Sequence, residues 1–156
     1  MAALNATVFA LQPNVDTIYS AGLYNLSQYD LRVTVPNITD DRYWNFAFYD
    51  PYGEEFASIG IANDDVPGDY LFRRIPDGGP NWGLEEACNG DDGYQGYVNG
   101  PTSDGSMLVR VLVKNNGTDL SHVQDILSGF NVAAVPRGSS AAPLATASTD
   151  ESELAS

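Results

Sequence analysis

The chain has few of the residues on which several common chemistries depend. Its 156 residues include one cysteine, Cys88, and one histidine, His122. An intrachain disulfide needs two cysteines, and a thiolate zinc site needs more ligands than these. A Cys–His dyad is disfavoured because Cys88 lies in a loop rich in Gly and Asp, whereas His122 lies at the start of a predicted helix. Disulfide, zinc and cysteine-nucleophile chemistry are therefore not expected.

Basic residues and signature loops are also scarce. Seven Lys and Arg stand against 21 Asp and Glu, which gives a net charge of −14. Because the basic residues are scattered, they form no phosphate-binding patch, and no nucleic-acid partner is expected. The serine nucleophile elbow, the phosphate-binding P-loop and the dinucleotide-binding glycine pattern are absent. No apolar run approaches the roughly 18 residues of a membrane span. The sequence predicts no cofactor and no membrane span.

Most of the acidic residues lie between residues 50 and 104, several of them in adjacent pairs such as Glu54-Glu55 and Asp64-Asp65. The preferred interpretation is solvated loops that keep the protein soluble. The alternative is an irregular calcium site in the segment 89–93, Asn-Gly-Asp-Asp-Gly. That segment departs from the EF-hand pattern, because Cys88 and Gly90 would occupy ligand positions. No residue is assigned as a metal ligand.

Alternating apolar residues predict a β protein. Residues 31–35 alternate as a half-buried strand, and residues 42–50 form an aromatic-rich strand expected to be covered on both faces. The turn 51–53 leads this strand into a hairpin partner at 56–61. Further strands are predicted at 7–11, 16–24, 69–75 and 106–114. The long segment 76–100, rich in Gly and Pro, is predicted to be a loop.

One helix is predicted after the last long strand. Ser121 with Gln124 forms a capping box, and Gly129 supplies the C-terminal stop. The apolar stripe that would pack on the sheet consists of Leu120, Val123, Ile126 and Leu127. The predicted fold is mainly β, an antiparallel sandwich- or barrel-like sheet with one packed helix near the C-terminus. It comprises one domain, residues 1–137, followed by a disordered low-complexity tail, residues 138–156.

Four Asn-x-Ser/Thr sequences make Asn5, Asn25, Asn37 and Asn116 glycosylation candidates. They favour an extracellular or secretory location, although Asn, Ser and Thr also cluster in turns for conformational reasons. Residues 1–5 lack the basic and apolar regions of a signal peptide. The glycosylation sequences and the lack of a signal peptide are compatible if the N-terminus is incomplete.

The segment Pro13-Asn14-Val15-Asp16-Thr17-Ile18-Tyr19-Ser20 resembles the signature P-N-x-D-T-x-Y-S of the family called "domain of unknown function 1254". Matching features follow in order over roughly residues 7–136: Arg42-Tyr43-Trp44, Asp50-Pro51-Tyr52, Pro101-Thr102 and Leu108-Val109-Arg110. The resemblance implies an antiparallel β fold. Members usually carry a helical segment upstream and a second β domain, "domain of unknown function 1214", downstream. The chain therefore resembles one module of a two-domain protein, a fragment whose second β domain is a missing partner. The family's activity is not established.

The first functional hypothesis is a small-molecule site, binding or catalytic, in a secreted two-domain protein. The candidate catalytic residues, all within the family motifs, are Asp16, Tyr19, Arg42, Asp50 and Arg110. A carboxylate near an aromatic pocket can act as general acid or base, and an arginine can hold an anionic ligand. The structural alternative is that Asp16 closes a turn, while Arg42 and Arg110 are buried partners of Asp16 or Asp50.

The second hypothesis is a non-enzymatic carbohydrate-binding or interaction module. Its candidates are aromatic side chains that stack on sugar faces when exposed: Trp44, Trp82, Tyr94 and Tyr97. Core packing is the commoner role of such residues. The exposure of these side chains distinguishes the two roles, because aromatic residues that line an open groove favour binding. The sequence does not decide between an enzyme and a binding module.

Overall fold

Ten strands and one α-helix make up the computed structural model, which describes residues 12–13, 17–75, 82–87, 92–114 and 117–137. A short 3-10 turn at Ile61–Asn63 follows the fifth strand. The helix α1 is Leu120–Gly129. The strands are β1 Gln12–Pro13, β2 Thr17–Asn25, β3 Asp30–Val35, β4 Trp44–Tyr49, β5 Glu55–Gly60, β6 Gly68–Arg74, β7 Gly83–Glu86, β8 Gly96–Gly100, β9 Asp104–Leu112 and β10 Asn131–Val135. The mainly β prediction is confirmed.

The strands form two separate five-stranded sheets. The first sheet has the order β1-β2-β9-β4-β5 and the second the order β10-β3-β6-β8-β7. All pairs are antiparallel except β6 and β8, which run parallel. Buried residues of both sheets belong to one core cluster, so the architecture is a sandwich and not a closed barrel.

Aromatic rings fill the space between the sheets. Phe48 of β4 lies 4.9 Å from Phe72 of β6 between ring centroids, and Phe72 lies 4.6 Å from Tyr24 of β2. Since successive strand residues point to opposite faces, the alternation of Trp44, Phe46 and Phe48 places all three in the core. Burial of each such ring stabilises the fold by about 2–3 kcal/mol. The core therefore fixes which residues point outward and are free for binding.

The prediction that residues 76–100 form a loop was wrong, because β7 and β8 lie in its described part. The glycines of this segment suggested turns, yet two of them are demanded by packing within a strand. A Cβ on Gly96 would lie 2.8 Å from the Glu85 carbonyl oxygen, and one on Gly100 would lie 3.0 Å from Phe72. Glycine here allows close approach between neighbours and does not end the strand.

The helix lies where it was predicted, but its capping box was wrong. The N-cap is Asp119, and no side-chain cap hydrogen bond is present at this helix. Val123 is buried, while Ile126 and Leu127 are half-buried against the core. Leu120, assigned to the packed stripe, is 42% exposed because it begins the first turn at the edge of the packed face.

Several predictions fall outside the described residues, namely the strand at 7–11, most of the acidic segment 89–93 and the tail 138–156. None of the helices in the described part of the chain has the length and apolar character needed to cross a membrane.

Candidate functional site

Arg42 is a buried structural clamp. Its Nε donates to both carboxylate oxygens of Asp40 at 2.9 and 3.0 Å, and its Nη2 donates to Asp40 and Asp119 at 2.7 and 2.9 Å. Nη1 donates to the carbonyl oxygen of Leu112 at 2.9 Å. The side chain is 2% exposed. Its described partners are Asp40 and Asp119, and Asp50, one of the two partners that the structural alternative proposed, is not among them. The other, Asp16, lies outside the described residues.

The carboxylates around Arg42 join three parts of the chain. Asp119 accepts from Arg42 with one oxygen and from the backbone amide of Lys114 with the other, at 2.8 Å. Burial opposes its ionisation, but these hydrogen bonds hold the pKa of Asp119 below its ordinary value. Hydrogen bonds from Arg42 lower the pKa of Asp40 to about 2. The cluster fixes the loop before β4, the end of β9 and the start of α1, with its charges directed at one another.

Asp50 closes the β4–β5 hairpin and borders an open cleft. Its Oδ1 accepts the backbone amides of Tyr52 and Glu54, both at 2.9 Å. Gly53 in the same turn has a φ of +82°, which a glycine adopts without strain. This geometry agrees with the predicted turn 51–53. Oδ2 of Asp50 makes no hydrogen bond within the described part of the chain.

Arg110 and Tyr19 lie side by side on the outer face of the first sheet. The register pairs Tyr19 with Arg110, and Arg110 with Asn45. Arg110 is exposed, so the expectation that it is buried was wrong. Because Val109 and Val111 point into the core, the residue between them must point outward. The near-continuous apolar character of β9 concealed this alternation.

The five predicted site residues therefore do not form one site. Tyr19 and Arg110 are neighbours, whereas Arg42 is buried beyond the end of β9 at Leu112 and Asp50 lies in the turn near the other end of that strand. Asp16 lies outside the described residues.

A cleft of about 750 Å³ opens where β2 ends, β9 begins and the β4–β5 turn folds back. We call it the end cleft, and its lining includes Leu23, Asn25, Asp50, Asp104 and Ser106. The volume is in the range of about 300–1,000 Å³ found for small-molecule sites. Of the four predicted site residues that the structure describes, Asp50 alone lines it.

The polar groups of the end cleft are arranged around Asn25. Its Nδ2 donates to Oδ1 of Asp104 at 2.7 Å, and its Oδ1 accepts the backbone amide of Ser27 at 2.8 Å. The hydroxyl of Tyr24 lies 3.2 Å from Oγ1 of Thr102. Burial, with added repulsion from Asp50 and Asp104, raises the pKa of Tyr24 to about 12. Both carboxylates therefore act on the same buried phenol.

Asn25 and Asp104 were not predicted as members of a ligand site. The two residues are 79 positions apart, and only the β2–β9 register places them opposite each other. Asn25 was singled out only as a glycosylation candidate. The available signal was that both residues end long strands, where polar side chains of neighbouring strands meet.

The four glycosylation candidates differ in their surroundings. Both polar atoms of the Asn25 side chain are engaged within the chain, so a glycan there would displace the bond to Asp104. Asn37 is exposed in the loop after β3. Asn5 and Asn116 lie outside the described residues.

The four aromatic candidates do not line one groove. Trp44 is 5% exposed and belongs to the core, whereas Trp82 is 59% exposed. Tyr97 is half-buried, with the Arg73 guanidinium 4.3 Å above its ring and its hydroxyl bonded to Asp92. Tyr94 is a half-buried neighbour of Tyr97, with 6.4 Å between the two ring centroids.

Residues 2–134 match the family described as "Protein of unknown function (DUF1254)", and the chain belongs to this family. No curated protein matches the chain. Among solved structures, the VPA0106 protein of Vibrio parahaemolyticus is similar, with a TM-score of 0.61 and 17% sequence identity. The similarity covers 78% of this chain and 28% of that one, so this chain spans well under half of its structural relative. At this identity the likeness shows the fold alone.

Proposed function

We propose that the chain is a small-molecule-binding module and that its ligand occupies the end cleft. The observation that carries the proposal is a cavity of about 750 Å³ that combines an exposed apolar side chain, Leu23, with two carboxylates that are only partly used by the fold. Ligand sites have this composition, since apolar surface supplies affinity and a few polar groups set orientation.

We propose binding rather than catalysis at this site. Among the described lining residues, no serine or tyrosine hydroxyl is hydrogen-bonded to a histidine or a carboxylate that would activate it as a nucleophile. The arginine clamp envisaged from the sequence also does not operate here. Arg42 is hydrogen-bonded to Asp40 and Asp119, and Arg110 projects from the outer face of the first sheet, so neither arginine lines the cleft.

A ligand-observed NMR screen of small neutral, cationic and anionic compounds tests the proposal. Leu23→Ser removes exposed apolar surface from the cleft and should weaken the hits, because 69% of this side chain faces solvent and its loss costs the fold little. Leu120→Ser is the matched control, since Leu120 is exposed on α1 and lies outside the cleft lining. Hits that are insensitive to Leu23→Ser would contradict the proposal.

One set of observations favours a second function, an interaction module that docks through the outer face of the first sheet. Arg110 makes no hydrogen bond or ion pair within the described residues, and the buried Oδ1 of Asn45 beside it has no partner there. Tyr43, near Asn45, is 41% exposed. Strand β4 was predicted to be covered on both faces; on this outer face Ala47 is buried, while Asn45 and Tyr49 are half-buried.

On the outer face of the second sheet, Arg73 is held by other side chains. There Arg73 donates to Asn99 at 2.8 Å, and Asn99 donates to Glu85 at 2.8 Å. Arg73 also contacts Glu85 and the ring of Tyr97. Arg32 of β3 is exposed on this second face and, like Arg110, has no hydrogen-bond or ion-pair partner among the described residues. The first face is distinguished by the exposed tyrosine and the partnerless Asn45 oxygen beside its arginine, a combination that suits a partner supplying a carboxylate.

The proposed occupant of the first face is a second protein module, consistent with the greater length of the Vibrio relative. Arg110→Glu should leave the isolated chain stable and abolish co-purification of a partner from the native host. Equal recovery with the variant would contradict this second function.

We also propose an extracellular or secretory location. Its support is the exposed sequon at Asn37.

A further inference from the structure

We infer that the ligand of the end cleft is an organic cation, a small molecule with at least one ammonium group. This inference rests on the proposed function, because it names the ligand class of the same site. It concerns the charge and the hydrogen-bonding character that the lining residues demand of any occupant.

The first step is the charge of the lining. Asp50 and Asp104 are the charged residues of the cleft, and no Lys, Arg or His lines it among the described residues. Neither carboxylate takes part in an ion pair within the described chain. The net charge of the whole chain, −14, adds to the negative potential at the site. An anionic occupant is therefore disfavoured.

The second step is the supply of acceptors. Oδ1 of Asp50 is occupied by the turn amides, and Oδ1 of Asp104 is occupied by Asn25. The Oδ2 atoms of both residues accept no hydrogen bond from the described chain, so each carboxylate has one oxygen left for a ligand. Ionised acceptors form their strongest hydrogen bonds with charged donors.

The third step is the character of the donors. Asn25 is committed to Asp104 and Ser27, and the hydroxyl of Tyr24 is committed to Thr102. Gln28 and Ser106 also line the cleft and can donate, but both are neutral, whereas a ligand that brings charged N–H donors meets two carboxylate oxygens that accept no hydrogen bond from the described chain. The raised pKa of Tyr24 has burial as its main cause, and the contribution of Asp50 and Asp104 agrees with a negative field at the floor of the cleft.

An inorganic cation fits less well. Calcium takes about six to eight oxygen ligands, and the described residues hold no group of three or more metal-ligating side chains. The cleft also presents apolar surface, with Leu23 69% exposed and Pro51 exposed beside Asp50. An alkyl chain between ammonium groups would cover this surface, and a hydrated metal ion would not.

The test uses three probes of equal chain length on the full chain, followed by amide chemical shifts in NMR spectra. The probes are 1,4-diaminobutane, 1,4-butanediol and succinate, which differ in charge and share the four-carbon skeleton. The diamine should shift the amides of Gly53, Gly105 and Ser106, which line the cleft. The diol should bind more weakly, succinate should not bind, and added salt should weaken the diamine alone.

Two variants remove the charge without disturbing the fold. Asp50→Asn retains an oxygen for the turn amides, and Asp104→Asn retains one for Asn25. Each should weaken diamine binding by about two- to fivefold, and the double variant by about tenfold. Asp125→Asn is the matched control, because it removes the same charge from an exposed residue of α1 outside the lining. It should leave binding unchanged.

The outcomes separate this inference from the proposed function. If the diol binds as tightly as the diamine, or if calcium shifts the cleft amides and the diamine does not, the cation assignment is overturned while the cleft remains a ligand site. Equal effects of Asp125→Asn and Asp50→Asn also overturn it. If none of the three probes shifts the cleft amides, the cation assignment falls, and the broader screen with Leu23→Ser then decides the proposed function.

Discussion

At the scale of single residues, two arginines of the family motifs have opposite roles. Arg42 is buried and donates to Asp40, Asp119 and the Leu112 carbonyl oxygen. Arg110 is exposed and unpaired within the described chain. The sequence places both in β-rich segments, and its structural alternative treats both as buried partners of a carboxylate. The two arginines differ because side chains alternate between the two faces of β9. Val109 and Val111 point into the core, so Arg110 between them points outward.

The same substitution at both positions measures this difference. Arg42→Met leaves two carboxylates without their partner and should lower the free energy of unfolding by about 3–5 kcal/mol. Arg110→Met should change it by less than about 0.5 kcal/mol, as for other surface sites. Urea denaturation of both variants gives the comparison. Equal losses would mean that Arg110 is also a structural residue.

The pH dependence of stability tests the Arg42 cluster separately. The pKa of Asp40 is lowered to about 2 in the folded chain, from about 4 in an unfolded one. The ionised form is therefore favoured by folding, so its contribution is complete above about pH 4 and is lost as the pH falls towards 2. The difference in the free energy of unfolding between the wild type and Asp40→Asn should therefore vanish as the pH falls from 4 to 2. A difference that stays constant from pH 6 to pH 2 would exclude the ion pair as its cause.

At the scale of elements, the alternating strands were predictable and the glycine-rich ones were not. Residues 31–35 and 42–50 alternate clearly, and they form β3 and β4. β8 contains glycines that make room for Glu85 and Phe72, a requirement of packing that a local pattern does not reveal. The residues of the end cleft show the same difference between local and long-range features. The turn at Asp50 was visible locally, whereas the pairing of Asn25 with Asp104 depends on the register of distant strands.

Gly129, predicted as the helix stop, offers a test of this packing explanation. It is the last residue of α1, and a Cβ there would lie 2.7 Å from Cβ of Pro36. Alanine normally stabilises a helix by about 1 kcal/mol relative to glycine. Gly129→Ala should instead destabilise the fold by about 1–3 kcal/mol, the cost of overpacking. Its control is Ser128→Ala on the exposed side, expected to be neutral. A gain in thermal midpoint for Gly129→Ala would reject the contact with Pro36.

At the scale of the whole molecule, the functional candidates are the two outer faces of the sandwich and the end cleft. On the second sheet Arg73 is bound by Asn99 and Glu85, whereas Arg110 on the first sheet has no hydrogen bond or ion pair within the described residues. The end cleft presents hydrogen-bond acceptors where β2 ends and β9 begins. The family match fixes the fold but carries no activity. Function must therefore be read from these surfaces.

The compartment proposal makes a prediction at this scale. In a eukaryotic secretory host, Asn37 should carry a glycan because it is exposed, while Asn25 should not because its side chain is hydrogen-bonded to Asp104 and Ser27. Mass spectrometry of the secreted chain before and after enzymatic deglycosylation gives the occupancy of each site. An unmodified Asn37 would remove the support for an extracellular location.

The most direct measurement of the central claim is the position of the amide shifts that the first confirmed ligand causes. Binding in the end cleft predicts shifts at Asn25, Gly53, Gly105 and Ser106, which line it. Shifts at Tyr19, Asn45 and Arg110 instead, with the cleft unchanged, would contradict the account and move the functional site to the outer face of the first sheet.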